Sequence, residues 1–270
     1  MTPPGPFSSV CTRRHFRPAA ADEHFPVCKQ CQLVAYCSRA CQEAAWPDHK
    51  SKCREECRDR EARRALDAQP DVAAQQAAQG VPPVEVRTQL LRDFTELHKY
   101  TAYWALCAAL DENEEDPTNE TIRNLLIVEI AYRKDCDDDP SRAYYVTNAR
   151  LCYIDKLHIW TPDEDLGFIP GSDITVIEFP TVLWHTDDGM SSSMIANESE
   201  APHLPSMLHN MDGSRWFDYL LRIINSGLVF RTPEHGPRHE MSLGRLEKSG
   251  SGWRWRSLKS VAKASRKDRV

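Results

Sequence analysis

The chain has 270 residues, 41 % of them hydrophobic and 27 % charged, with a formal net charge of -6. That balance predicts one or two compact domains with a buried core. It argues against bulk attraction to nucleic acid or to a membrane surface, and no segment approaches the ~20 apolar residues that span a bilayer.

The N-terminus, "MTPPGPFSSVCTRRHF", lacks an apolar run of signal-peptide length. The expectation is a protein inside the cell, in nucleus or cytoplasm, and the glycosylation-like triplets at Asn119 and Asn197 are then chance matches. In a reducing compartment cysteines favour metal binding over structural disulfides. Of the ten cysteines, Cys11, Cys28, Cys31, Cys37, Cys41, Cys53 and Cys57 fall in the first 57 residues, while Cys107, Cys136 and Cys152 read as ordinary thiols.

The first ordered segment is built around those early cysteines. "C28KQC31" is a Cys-x2-Cys knuckle that aims two thiolates at one ion. Cys37 and Cys41 are four apart, as are His49 and Cys53, so each pair shares a helix face. Pro47 stands between the pairs and predicts two short helices, one over 38–45 and one over 47–56. Zinc takes four tetrahedral ligands of the Cys and His type. Six ligands exceed one ion and fall short of two, so two more come from upstream: Cys11, with His15 or His24 as its partner. Cys57 reads as a spare thiol just beyond the cluster.

The run "YCSRACQEAAWPDHKSKC" resembles the second half of a MYND zinc finger. Cys28, Cys31, Tyr36, Cys37, Cys41, Gln42, Trp46, His49 and Cys53 all match that pattern. The resemblance covers residues 11–53. It implies two zinc ions bound in interleaved order, one by Cys11, His15, Cys37 and Cys41 and the other by Cys28, Cys31, His49 and Cys53. The chain departs from the family at the first pair, where Cys-x2-Cys is replaced by Cys11-x3-His15. Closed four-ligand sites are structural, and zinc supplies on the order of 10 kcal/mol of folding free energy per site. The resemblance further implies protein–protein binding, often of a proline-rich peptide, with Gln42 and Trp46 on the docking surface. Trp46 reads equally as packing for the finger's own small core.

Beyond the finger, "REECRDREARR" (54–64) is helix-favouring, and the Ala/Gln-rich stretch with Pro70, Gly80, Pro82 and Pro83 reads as a linker over 65–83. Apolar residues at Leu90, Phe94, Leu97 and Trp104 predict a helix over 84–110. A helical turn over 118–124 and strands over 125–132, 143–154, 174–179 and 181–186 follow, with a turn at 187–189 and a polar loop over 190–205. A helix over 213–227, capped by Ser214 and ended by Gly227, precedes a short strand in "LVFRT". The chain thus divides into a tail (1–10), a small zinc-stabilised MYND-like finger (11–53), a helical extension and linker (54–83), an α+β domain (84–245) and a basic tail (246–270).

No catalytic constellation stands out in the second domain. His185, Asp187 and Asp188 in "WHTDDG" could suit a base or a metal, or be a strand entering a polar turn. His203 and His209 read as solvated, and His235 and His239 as loop residues. SET-domain methyltransferases can carry an inserted MYND finger, but their Asn-His-Ser-Cys motif is absent and ten residues precede Cys11. The expectation is a non-enzymatic adaptor that recruits a protein partner, as in transcriptional co-regulators. The alternative is an enzyme whose active site lies in 84–245. Residues 1–57 carry eight Lys or Arg against six Asp or Glu, too little for phosphate-driven binding. Any nucleic-acid contact would be weak and through the tail, where Trp253 and Trp255 alternate with arginines.

Overall fold

The structure is a computed structural model that describes residues 27–111, 124–153, 181–195, 215–231, 241–249 and 252–258. It divides into two compact units, residues 1–93 and 94–270. No helix among the described residues is long and apolar enough to cross a membrane.

In the first unit an isolated bridge between Val27 and Ala35 closes the cysteine knuckle. Helix α1 then runs unbroken over Arg39–Asp67. This corrects the expectation of two helices parted at Pro47. A proline inside a helix removes one hydrogen bond and costs ~3 kcal/mol or more. Pro47 stands on the exposed side, and anchors on both sides of it offset that cost. Before it, the Ser38 side chain accepts the Cys41 N–H at 3.2 Å and caps the helix. After it, the Arg60 guanidinium donates to the carbonyls of Gln30 and Cys31.

The presumed linker over 65–83 is mostly helical. Helix α1 reaches Asp67 and α2 spans Pro70–Gln79, with Pro70 in the first turn and Gly80 in the left-handed conformation at its end. Helix α3 runs over Val84–Asp111. Asp67 joins the three: its Oδ1 accepts the Val84 N–H at 2.7 Å and the Gln76 side-chain N–H at 2.9 Å, and its Oδ2 accepts the Glu85 N–H at 3.0 Å. Glu85, in the first turn of α3, pairs with Arg60 at 3.2 Å and Arg63 at 2.8 Å, and Arg92 pairs with Glu56 at 2.7 Å.

The second unit is a mixed helix and strand domain. Strands β1 (Asn124–Tyr132), β2 (Tyr144–Tyr153), β3 (Thr181–Thr186) and β4 (Ser191–Ile195) form a sheet in the order β2-β1-β3-β4. The β1–β3 pair is parallel and the others antiparallel. Helix α4 (Trp216–Asn225) follows. Gly227 (φ 65) ends it, the Gly227 and Leu228 N–H groups bonding the Ile224 and Ile223 carbonyls. Strands β5 (Val229–Arg231), β6 (Ser242–Ser249) and β7 (Gly252–Ser257) make a second, antiparallel sheet.

Two expectations are corrected here. Part of the presumed loop over 190–205 is strand β4, and its serines gain ladder partners from β3. Much of the presumed tail from residue 246 is the β6–β7 hairpin, where Leu246 is buried and the Trp255 indole N–H donates to the Val229 carbonyl at 3.0 Å. The turn predicted over 118–124 falls almost wholly, and the strand over 174–179 and the Ser214 cap wholly, outside the described residues.

The core of this unit gathers Phe94, Leu97, Leu106, Leu126, Ile130, Tyr144, Trp184, Leu220, Ile224 and Phe230. The Phe94 ring lies 5.5 Å from Tyr144 and 5.7 Å from Trp184, centroid to centroid, a geometry aromatic pairs favour. His98 is fully buried beside Phe94, with Nε2 2.9 Å from the Ser141 carbonyl. Burial pushes its imidazole down to about 4, so at neutral pH the ring is neutral and Nε2–H is the donor.

Two outcomes follow. Asp67→Ala should cost about 1 kcal/mol, as loss of a helix cap does, and should speed hydrogen exchange at the Val84 and Glu85 amides. The Asp67 carboxyl is lowered overall, since its hydrogen bonds outweigh its burial, so this contribution stands above the ordinary carboxylate range and fades as pH falls through it. For His98 the unfolded chain binds the proton more readily. Stability of the second unit should therefore drop as pH falls from about 6.5 to about 4, by about 3 kcal/mol, and His98→Gln should flatten that part of a denaturation-versus-pH curve.

Candidate metal centre

The knuckle is made by a tight turn. The Cys28 N–H bonds the Val34 carbonyl at 2.9 Å, and the Gln32 N–H bonds the Cys28 carbonyl at 2.8 Å. This places Cys28 and Cys31 side by side, both buried. Helix α1 supplies the other two donors, His49 and Cys53, one turn apart. The donor atoms of Cys28, Cys31, His49 and Cys53 all lie within 4.8 Å of one another.

The distances fit a tetrahedral ion. Sulfur ligands about 2.3 Å from a zinc centre stand about 3.8 Å apart along a tetrahedron edge. Cys28 Sγ and Cys53 Sγ are 3.7 Å apart, and Cys31 Sγ and His49 Nε2 are 3.5 Å apart. Three sulfurs and one imidazole fill the shell and leave no position for a reactive water, so the centre is structural rather than catalytic.

The electrostatics of the cluster state what it needs. Burial, then the adjacent Cys28 and Cys31 thiols, push Cys53 up to about 12. Burial and the Cys28 charge likewise raise Cys31. Burial opposes the Cys28 anion too, but the backbone amides of Cys31 and Gln30 and the Cys53 thiol bring it below the usual thiol value. Burial alone lowers His49, leaving a neutral ring with a free lone pair. Three thiolates cannot coexist at this spacing without a cation, and a divalent ion reverses each upward push.

Cys37 and Cys41 form a second pair, with Sγ atoms 3.3 Å apart. Their expected partners Cys11 and His15, and the competitor His24, lie outside the described residues. Tyr36, Leu33, Val34, Ala45, Trp46 and Cys57 pack around the cysteines as a small apolar shell. The Tyr36 and Trp46 rings meet the His49 imidazole edge-on at 6.2 and 5.9 Å. Cys57 therefore packs against the cluster without joining it.

Trp46 has a second face. Together with Lys29, Ser38, Arg39, Gln42 and Glu43 it lines an open cavity of about 460 Å³. Trp46 therefore packs against the cysteine cluster and also lines this cavity.

Arg60 is a residue that ligand spacing does not reveal. Its guanidinium binds the knuckle carbonyls of Gln30 and Cys31 while pairing with Glu85. The one signal for it is helical periodicity, since it stands seven residues beyond Cys53 on the same face. In the second unit His185 is the last residue but one of β3 and the Thr186 hydroxyl donates to Asp188, so "WHTDDG" is a strand entering a turn. Cys28, Cys31, His49 and Cys53 form the metal-type cluster found among the described residues. His203, His209, His235 and His239 lie outside them.

On the full chain, native mass spectrometry should show zinc, and Cys53→Ser should lose one ion. Chelation should lower helical circular dichroism and release the Cys28 and Gln32 amides to exchange. Arg60→Ala should keep the ligands yet lose zinc faster to a competing chelator, by about tenfold if it orients the knuckle as outer partners of metal sites do.

Comparison with known proteins bears on this segment alone. The family model described as MYND finger matches residues 9–53. The human histone-lysine N-methyltransferase SMYD3 is 56 % identical over 27 residues, which are 10 % of this chain and 6 % of that protein. No solved structure matches the chain. The segment is a MYND-type finger, a zinc-binding and protein-interacting module that is not itself catalytic, and the likeness to SMYD3 does not reach beyond it.

Proposed function

We propose that this chain is a non-enzymatic adaptor of the cell interior, in nucleus or cytoplasm, whose finger recruits a protein partner as transcriptional co-regulators do. The finger holds two zinc ions in interleaved order. Cys28, Cys31, His49 and Cys53 bind one, and Cys37 and Cys41 join Cys11 and His15 around the other. The partner presents a proline-rich, extended segment to the cavity beside Trp46.

The observation that carries this reading is that cavity. It lies on the outer face of α1, where the helix start fixed by Ser38 presents Gln42 and Trp46 one turn apart. A half-buried indole offers a flat apolar wall, and Gln42 offers both a donor and an acceptor to a peptide backbone. Extended proline-rich segments suit such walls because little entropy is lost on docking. Lys29, Arg39 and Glu43 on the rim add charges of both signs, and Arg39 pairs with Glu43 at 2.8 Å. The arrangement suits a mixed or neutral peptide better than a nucleic-acid backbone, so nucleic-acid contact is confined to a weak role for the basic C-terminus.

Isothermal titration of the zinc-loaded full chain with a proline-rich peptide tests this. Gln42→Ala should weaken binding about five- to tenfold with the zinc content unchanged. Trp46→Ala should abolish it, at some cost to the finger's packing. Binding unchanged in Gln42→Ala and in a second rim variant, Lys29→Ala, would move the docking surface elsewhere.

A further inference from the structure

A second cavity, of about 400 Å³, lies wholly within the second unit. Its walls come from the residue after β1 (Arg133), the turn before β2 (Asp139 and Arg142), the end of α4 (Asn225 and Gly227) and β6 (Arg245). Three arginines and one aspartate therefore line one space. Among the described residues, none of the three arginines makes an ion pair within 4 Å.

The acidic member is already engaged. Asp139 Oδ1 accepts the Ser141 N–H at 2.9 Å and the Ser141 hydroxyl at 2.8 Å, and the residue is buried. The end of α4, whose carbonyls would repel an anion, is also largely masked. The Gly227 and Leu228 N–H groups take the Ile224 and Ile223 carbonyls, and Arg133 Nη2 takes the Asn225 carbonyl at 3.0 Å. Asn225 is fixed in turn by two bonds to Val146, at 2.7 and 3.1 Å.

Two features mark this as a built site rather than a scatter of surface arginines. First, Arg133 is held in place: its Nη2 donates to the Asn225 carbonyl at 3.0 Å, and its guanidinium carbon lies 5.7 Å from the Tyr145 ring centroid. Second, the Arg142 stem lies where Gly227 has no side chain: a Cβ at Gly227 would come within 2.5 Å of Arg142 Cγ. The glycine thus serves the α4 terminus and also lets Arg142 lie across it.

We propose that this cavity binds a phosphate monoester. Three cations against one anion leave a net charge of about +2, which matches a group that carries ≈ -1.5 to -2 at neutral pH. Guanidinium forks bind such oxyanions through paired hydrogen bonds, and three arginines line this one cavity. The volume admits the group with a short stem. Arg133 and Arg142, half-buried, fix the anion, and Arg245, exposed, closes over it.

The experiment is nitrogen–proton NMR of the zinc-loaded full chain at constant ionic strength. Inorganic phosphate, glycerol phosphate and a capped phosphoserine tripeptide are titrated in turn against chloride. Expected are saturable shifts of the Arg133 Nε–H and Gly227 N–H signals, at least tenfold weaker in affinity in Arg245→Gln and unchanged in Arg256→Gln, whose arginine pairs with Glu247 instead. A tighter tripeptide identifies a phosphorylated side chain as the source, and a tighter glycerol phosphate a small phosphorylated molecule. Shifts that grow linearly without saturating, that chloride or acetate reproduces, or that survive in Arg245→Gln overturn the proposal.

Discussion

Three thiols and an imidazole held within 4.8 Å of one another set the terms for the first unit. Left to themselves they repel, desolvate and protonate, and Cys53 is pushed up to about 12. A divalent cation turns the same crowding into cohesion. The apolar shell of Tyr36, Trp46 and their neighbours is too small to hold the knuckle alone. The cavity beside Trp46 is therefore only as ordered as the ion behind it, because Trp46 packs on the ligand His49 while also lining the cavity.

The same helix that carries two of the donors carries the unit's polar joints. Arg60 and Arg63 meet Glu85, Arg92 meets Glu56, and Asp67 caps α3. These pairs are partly sheltered, with side-chain exposures of 12–31 %, and they form a network, which is where ion pairs contribute most. In the second unit, the comparable joint is Asn225, which clips the end of α4 to β2 and positions the arginine-lined cavity beside it.

The finger was legible in the sequence because ligand chemistry fixes spacing: Cys28, Cys31, His49 and Cys53 stand where their intervals imply. Helix α3 and strands β1 to β3 were legible because dense or periodic apolar residues mark a buried face. The failures share a cause, namely tertiary context overriding a local signal. Pro47 predicts a helix break, but anchors at Ser38 and Arg60 hold the helix through it. The Ala- and Gln-rich stretch has little to bury, yet Asp67 ties it into a helical corner. The serines of β4 look like a loop until β3 offers ladder partners. The arginines of β7 look like a solvated tail until Leu246 and Trp255 are placed on the packed side. Arg133, Arg142 and Arg245 are far apart in sequence, so only the fold reveals that they share one space.

The unbroken course of α1 has a further consequence. The recognisable finger ends at residue 53, whereas the helix that carries its last two donors continues to Asp67. The module as read from its motif and the module as a mechanical object are not the same piece of chain. Cutting at the motif's edge would sever a helix in mid-course and discard Arg60, leaving the knuckle carbonyls without their guanidinium. Helices form cooperatively, each residue resting on its neighbours. Strain applied at one end, as by metal loss, is thus felt along its whole length. Transplanting this finger into another protein means carrying its stem with it.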